Sequence, residues 1–256
     1  MRMHRVPTLE LLDNDLGSPA EVQLQLDDLW RINRWLGGVS SSLHLLLRFL
    51  AGRRSVRVLE VGAGDARLAG RLRLMLQRRG IEADFFVLDR RHSHLLSGQP
   101  ARNLHPVAAD ALALPFRRES FDVVTCNLLF HHFSGDDALR FLRSLAAVSR
   151  DAVLINDLER HWLPYLFIRF TPWFTRNWMS RHDGAASVRQ AYTRPELAQL
   201  AASAGFTDFE VCRLVPFRLS LIVRKSGQVG EEAAIRGCRG LRNIPQGLKP
   251  STVCGI

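Results

Sequence analysis

Between residues 55 and 225 short apolar runs alternate with longer stretches in which apolar residues return every three or four positions. The runs VRVLEV, ADFFVLD, LHPVAAD, FDVVTCN and AVLIND (56–61, 83–89, 104–110, 121–127, 152–157) have the length and apolar content of buried strands. Between them, ARLAGRLRLMLQRRG (66–80) and DALRFLRSLAAVSR (137–150) carry helical spacing. Strands separated by helices predict an α/β fold with a parallel sheet and right-handed crossovers. FTDFEVCRLVPFRLSLIVRK (206–225) adds two strands around Pro216, an antiparallel hairpin on the same sheet, which makes seven strands, mostly parallel.

Flanking segments complete the organisation. Residues 1–52 read as a helical cap, in which PAEVQLQLDDLWRINRWLGG stops at Gly37-Gly38. Residues 53–225 form the main domain, with 157–192 an insertion long and aromatic enough to act as a lid. YTRPELAQLAASAGF (192–206) predicts a helix capped by Thr193 with Pro195 in its first turn. The stretch 226–256 lacks periodicity and reads as a flexible tail.

Val56 to Leu72 is a strand, a glycine turn and a helix, the arrangement that opens many nucleotide sites. The dinucleotide fingerprint G-x-G-x-x-G fails at its third glycine, where Arg67 stands, and Asp65 occupies the helix start where a pyrophosphate would sit. A carboxylate there suits a ligand with hydroxyls or a cationic amine and no phosphate. Asp89 and Asp110 close the next two strands. In an open parallel sheet ligands lie at the carboxyl ends of the strands, and Asp89 there can accept bonds from two ribose hydroxyls.

With Glu60, Gly62 and Gly64 in E-x-G-x-G, and AADALALPF and SFDVVTCNLLFHHF downstream, residues 56–225 resemble the class I S-adenosylmethionine-dependent methyltransferases, in particular those of ubiquinone and menaquinone biosynthesis. The resemblance implies a Rossmann-like fold with helices on both faces. It also implies S-adenosylmethionine held by Glu60, Gly62, Gly64, Asp65, Asp89, Asp110, Ala111 and Asn127. Ala66 departs from it where many relatives carry a third glycine. The resemblance implies methylation of a small, largely apolar acceptor of quinone, phenol or polyketide type. A nucleic-acid or protein methyltransferase, an NAD-dependent oxidoreductase and a non-catalytic binding module are the competing readings. The strand ending in TCN lacks the NPPY type of tetrapeptide that grips a flipped base.

Methyl transfer to a phenol or acidic carbon calls for a base, and His131, His132 and His182 are the candidates. Trp173, Arg181 and Arg189 are the expected acceptor contacts, with Trp30, Asn33 and Trp35 of the cap beside them. The SGDD start of the helix after His132 reads as a capping box on Ser134 with Asp137.

Bulk properties adjust this little. Of 256 residues 46% are hydrophobic and 23% charged, a globular composition with enough chain for a core. The net charge of +10 comes largely from arginines such as those of RLRLMLQRRG, a solvated exterior that leaves room for peripheral membrane contact and calls for no specific nucleic acid. Cys126, Cys212, Cys238 and Cys254 have no metal-ligand spacing and follow no signal peptide, so a reducing cytoplasm and no metal are expected. No apolar run reaches the roughly 20 residues a bilayer needs. WLPYLFIRFTPWF (162–174) is shorter and broken by Arg169 and two prolines.

Overall fold

The computed structural model describes residues 3–12, 17–97, 104–170, 177–214 and 216–225. Seven strands form one sheet: β1 (Ser55–Val61), β2 (Glu82–Asp89), β3 (Leu104–Ala108), β4 (Phe121–Asn127), β5 (Ser149–Leu158), β6 (Phe209–Leu214) and β7 (Arg218–Arg224). Their spatial order is β3-β2-β1-β4-β5-β7-β6. β1 to β5 are mutually parallel and β7 runs antiparallel between β5 and β6. Each predicted strand is present, and the hairpin turns at Pro216 as expected. The order reverses between β1 and β4, and this switch point opens a crevice at the strands' carboxyl ends.

Strand alternation divides the core. Val56 and Val58 pack on one face against α2 (Gly38–Leu47) and α3 (Arg67–Gln77). Leu59 and Val61 pack on the other against α5 (Gly135–Val148) and α8 (Arg194–Ser203). Each fully buried leucine, Leu72 or Leu145 for example, contributes about 1.5–3 kcal/mol. Thr193 caps α8 in a capping box with Glu196, as the sequence predicts. Ser134 does precede α5, but its side chain makes no capping bond, so the box expected there is absent.

The glycine turn explains a departure noted in the sequence. Ala66 starts α3 at φ 58°, in the left-handed region that glycine occupies freely and an L-residue enters at a cost of about 1–2 kcal/mol. Ahead of the sheet, α1 (Pro19–Trp35) and α2 form the helical cap. Residues 3–12 depart from expectation: they contain no α-helix and instead run as a strap over α7 (Trp178–Gln190). Between β5 and α7 lies α6 (Trp162–Phe170), whose Trp162, Leu163, Leu166, Phe167 and Phe170 are exposed. Two short elements remain, α4 (His92–Ser97) and a 3-10 turn at Phe130–His132. No helix among the described residues is long and apolar enough to cross a membrane. The expected tail lies outside the described residues.

Candidate active site

A cavity of about 400 Å³ occupies the crevice and reaches from the glycine turn to the strap. One end is floored by Gly62 and Gly64, both at positive φ. A Cβ on Gly62 would stand 2.6 Å from Leu129, so no side chain fits there. Asp89, at the end of β2, accepts bonds from the Gly64 N–H at 2.8 Å and the Arg91 N–H at 2.9 Å, so the acid expected to meet the ligand also fixes the turn. Asp110 is exposed at the rim and accepts the Leu112 N–H at 2.9 Å, an Asx turn that presents Ala111 and Leu112 to the cavity.

Glu60 is the most perturbed group at this end. It is 1% exposed, and burial pushes its carboxyl up to about 8. Its Oε1 accepts from Asn127 Nδ2 at 3.2 Å, whereas Oε2 makes no hydrogen bond. Asn127 in turn accepts from Ser42 Oγ at 2.7 Å, and Ser42 accepts from Asn156 Nδ2 at 2.8 Å. A buried polar chain from α2 through β5 and β4 thus holds Glu60 in one orientation. Asn127, expected to contact cofactor, is spent mainly on this chain. Asp65 corrects another expectation: its carboxylate pairs with the Arg67 guanidinium, Nε to Oδ2 at 2.5 Å, and Arg67 also reaches Asp27 at 2.8 Å. The negative charge at the turn is therefore partly neutralised, and Asp89 carries more of it.

Beyond the turn, where Leu26 stands against Gly64 and Trp30 under Arg67, the lining includes apolar Leu12, Leu29, Ile32 and Ile168 and has one polar corner. There the 3-10 turn presents His131 and His132, and the strap presents Glu10. His131 is 2% exposed. Its Nδ1 lies 2.7 Å from Asp157 Oδ1, its backbone N–H donates to Asp157 Oδ2 at 2.9 Å, and its Nε2 lies 3.4 Å from Glu10 Oε1. Burial opposes the imidazolium, but the Asp157 and Glu10 carboxylates outweigh it and raise the ring to about 10. The two carboxylates favour the imidazolium form, which weighs against His131 as the expected base. His132 is half-buried, its Nε2 3.7 Å from Glu10 Oε2. Glu10 Oε1 also accepts from Ser187 Oγ and Gln190 Nε2, each at 2.6 Å.

The strap itself hangs on Asp183, which accepts the Leu11 and Leu12 N–H groups at 2.9 and 3.0 Å and Gln25 Nε2 at 2.6 Å. His182 is exposed and also bonds Asp183, at 2.9 Å. Thus His182, a candidate base in the sequence, sits beside a fastening. Arg181 is exposed, and neither Arg181, His182 nor Arg189 lines the cavity. Trp173 lies outside the described residues. Of the cap residues, Trp30 and Asn33 line the cavity and Trp35 is 72% exposed.

Residues 58–152, which span β1 to β5 and hence the glycine turn and the acids after it, match the family described as a methyltransferase domain. The chain carries a methyltransferase domain. No curated protein matches it. Among solved structures, an S-adenosylmethionine-dependent methyltransferase from Aquifex aeolicus superposes with a TM-score of 0.58 at 18% identity, covering 81% of this chain and 98% of that one. The plantazolicin methyltransferase BpumL, crystallised with a monoazolic desmethylPZN analogue and S-adenosylhomocysteine, gives 0.64 at 14% identity, with 84% and 93% covered. BamL, a second plantazolicin methyltransferase, gives 0.61 at 14%, with 81% and 96% covered. The fold is that of the Rossmann-like methyltransferases. None of these likenesses bears on the ubiquinone and menaquinone enzymes.

Within the methyltransferase domain, Glu60, Gly62, Gly64, Asp65, Asp89, Asp110, Ala111 and Asn127 all border one cavity, and His131 and His132 border its other end. Sequence reasoning missed Glu10, Ser42 and Asp157. For Asp157 a signal existed, since it is a further acid near the carboxyl end of a parallel strand.

Proposed function

We propose that the chain transfers the methyl group of S-adenosylmethionine to a small, largely apolar acceptor of the quinone, phenol or polyketide class. One observation carries the reading: a single cavity joins a glycine-floored acidic end to an apolar end with one polar corner.

The acidic end fits the cofactor. The buried, unpartnered Oε2 of Glu60 suits a cationic amine, Asp89 suits the ribose hydroxyls, and Asp110 with Ala111 suits the adenine. A dinucleotide would bring its pyrophosphate toward Asp89, and the like charges disfavour it. When bound, the cofactor supplies an electrophilic methyl on a sulfonium. The chain's own part is alignment and exclusion of water. Leu29, Ile32 and Ile168 wall the acceptor, and the strap with Leu12 closes over it. Glu10, His131 and His132 receive the acceptor's hydroxyl or acidic group, so that an apolar ring is held by its polar edge. The cap (1–52) and the insertion (157–192) together act as the lid.

Two measurements test this. S-adenosylhomocysteine at a hundred times its dissociation constant should stabilise the chain by about 2.7 kcal/mol, and NAD should not. Methyl-labelled cofactor incubated with a cell extract should place label in organic-soluble small molecules. Label retained only on RNA or protein, or stabilisation by NAD alone, would overturn the reading.

A further inference from the structure

We infer that Glu10, His131 and His132 form a binding site for one divalent first-row transition metal at the acceptor end of the cavity. The inference deepens the proposed function and rests on it in one respect: the metal's open position faces the space assigned to the acceptor, whose oxygen would complete the coordination. Sequence patterns predict no metal, because one ligand comes from an aperiodic segment distant from the other two.

One donor atom from each side chain lies within 4.8 Å of the others. His131 Nε2 is 3.4 Å and His132 Nε2 3.7 Å from the two oxygens of Glu10, and the imidazole rings stand 4.3 Å apart. Ligands bonded at about 2.0–2.2 Å sit roughly 3–3.6 Å from one another, so small rotations of these side chains complete the site. His131 Nε2 is buried, with the Glu10 carboxylate 3.4 Å away but not aligned for a hydrogen bond, and it gives up its proton on binding the ion. A buried ring nitrogen without an aligned partner is unusual. An ion pair to Glu10 would need one imidazole, whereas two consecutive histidines of a 3-10 turn present their rings to the same carboxylate.

The surrounding shell has the form that orients metal ligands. Asp157 holds His131 Nδ1 at 2.7 Å, which directs Nε2 toward the cavity, and Ser187 and Gln190 fix Glu10. Two imidazoles and one carboxylate select zinc, iron(II), manganese or cobalt over calcium and magnesium, which take all-oxygen shells. Three protein ligands leave positions open for an exogenous oxygen donor.

The test is titration of untagged, chelator-treated full-length protein with Co2+ near neutral pH, read by visible absorption, beside a thermal-shift assay with S-adenosylhomocysteine. We expect d–d bands that saturate at one Co2+ per chain, are abolished by Glu10→Gln and by His132→Gln, and weaken about 10–100-fold in affinity with Asp157→Asn. Unchanged melting of the metal-free variants keeps misfolding out of the result, and His132→Gln alone suffices if Glu10→Gln loosens the strap. Absence of bands, or bands that persist in His132→Gln, overturns the metal site. If S-adenosylhomocysteine still stabilises the chain in that case, the methyltransferase reading stands. Bands without stabilisation by S-adenosylhomocysteine leave the metal site and remove that reading.

Discussion

The two ends of the cavity are built from the chain in opposite ways. At the cofactor end Glu60, the glycine turn, Asp89, Asp110 and Asn127 follow one another along β1 to β4, each at the end of a strand or in the loop after it. At the acceptor end Glu10, Ile32, His131, Ile168 and Ser187 come from the strap, α1, a 3-10 turn, α6 and α7. Sheet topology alone delivers the first set to one place. The second set meets only because long-range side-chain bonds tie the N-terminus to α7. Affinity for the cofactor is therefore a property of the core, and access for the acceptor a property of its fastenings.

The largest expected effect strikes the fastenings. Asp183→Ala leaves the Leu11 and Leu12 amides and Gln25 without their acceptor and should cost about 3 kcal/mol, a fall of roughly 6–12 °C in Tm. Differential scanning calorimetry reads it, and S-adenosylhomocysteine affinity in the folded variant should change little. A large loss of cofactor affinity would break the separation of the two ends.

Asp89→Ala is the converse. It removes the ribose acceptor and the tether on Gly64 together, and calorimetric titration should show S-adenosylhomocysteine binding weakened roughly a hundredfold, about 2.7 kcal/mol, in a protein that stays folded.

Glu60 gives a pH signature. Its folded-state value is raised from 4.5 to about 8, so the native chain holds a proton that the unfolded chain has already released. The stability this contributes is full below about 4.5 and is lost as pH rises through about 8. Glu60→Gln cannot titrate, so across that window wild-type stability should fall steadily relative to the variant in chemical denaturation without ligand. A constant difference between the two would show that the carboxyl is ionised throughout.

The smallest effect sharpens the boundary of the acceptor end. Arg181→Ala, on the exposed side of α7, should alter KM for the acceptor by no more than about twofold, within the ±0.5 kcal/mol of ordinary surface changes. A tenfold rise would return Arg181 to the acceptor's reach.

Much of the cofactor end was legible because period-two and period-3.6 patterns locate strand ends, and a parallel sheet gathers strand ends at one edge. The turn was misjudged in one respect, since nothing in GAGDAR says that Arg67 folds back onto Asp65. At the acceptor end the pattern is weaker. α7 buries Ser180, Asp183, Ser187 and Gln190, a polar stripe spaced 3, 4 and 3, while Arg181 and His182 face outward. Hydrophobicity alone gives such a helix no preferred face, and the residues with the most conspicuous chemistry are the ones in solvent. Glu10 stands in HRVPTLELLD, where no periodicity assigns an element, and its partners lie more than a hundred positions away.

The bond between Gln190 and Glu10 spans 180 residues. On a ribosome the strap leaves the exit tunnel long before α7 and must wait for it before it has anything to hold. In that interval β1 to β5 have all been synthesised, so the sheet can assemble around its own nucleus while the N-terminus is still loose. Closing such a loop adds contacts of high sequence separation, which form late and slow the final phase of folding. Refolding followed at two probes should separate them: the sheet recovers first, and the environment of Trp30 at the cavity wall reaches its native signal only as the strap locks.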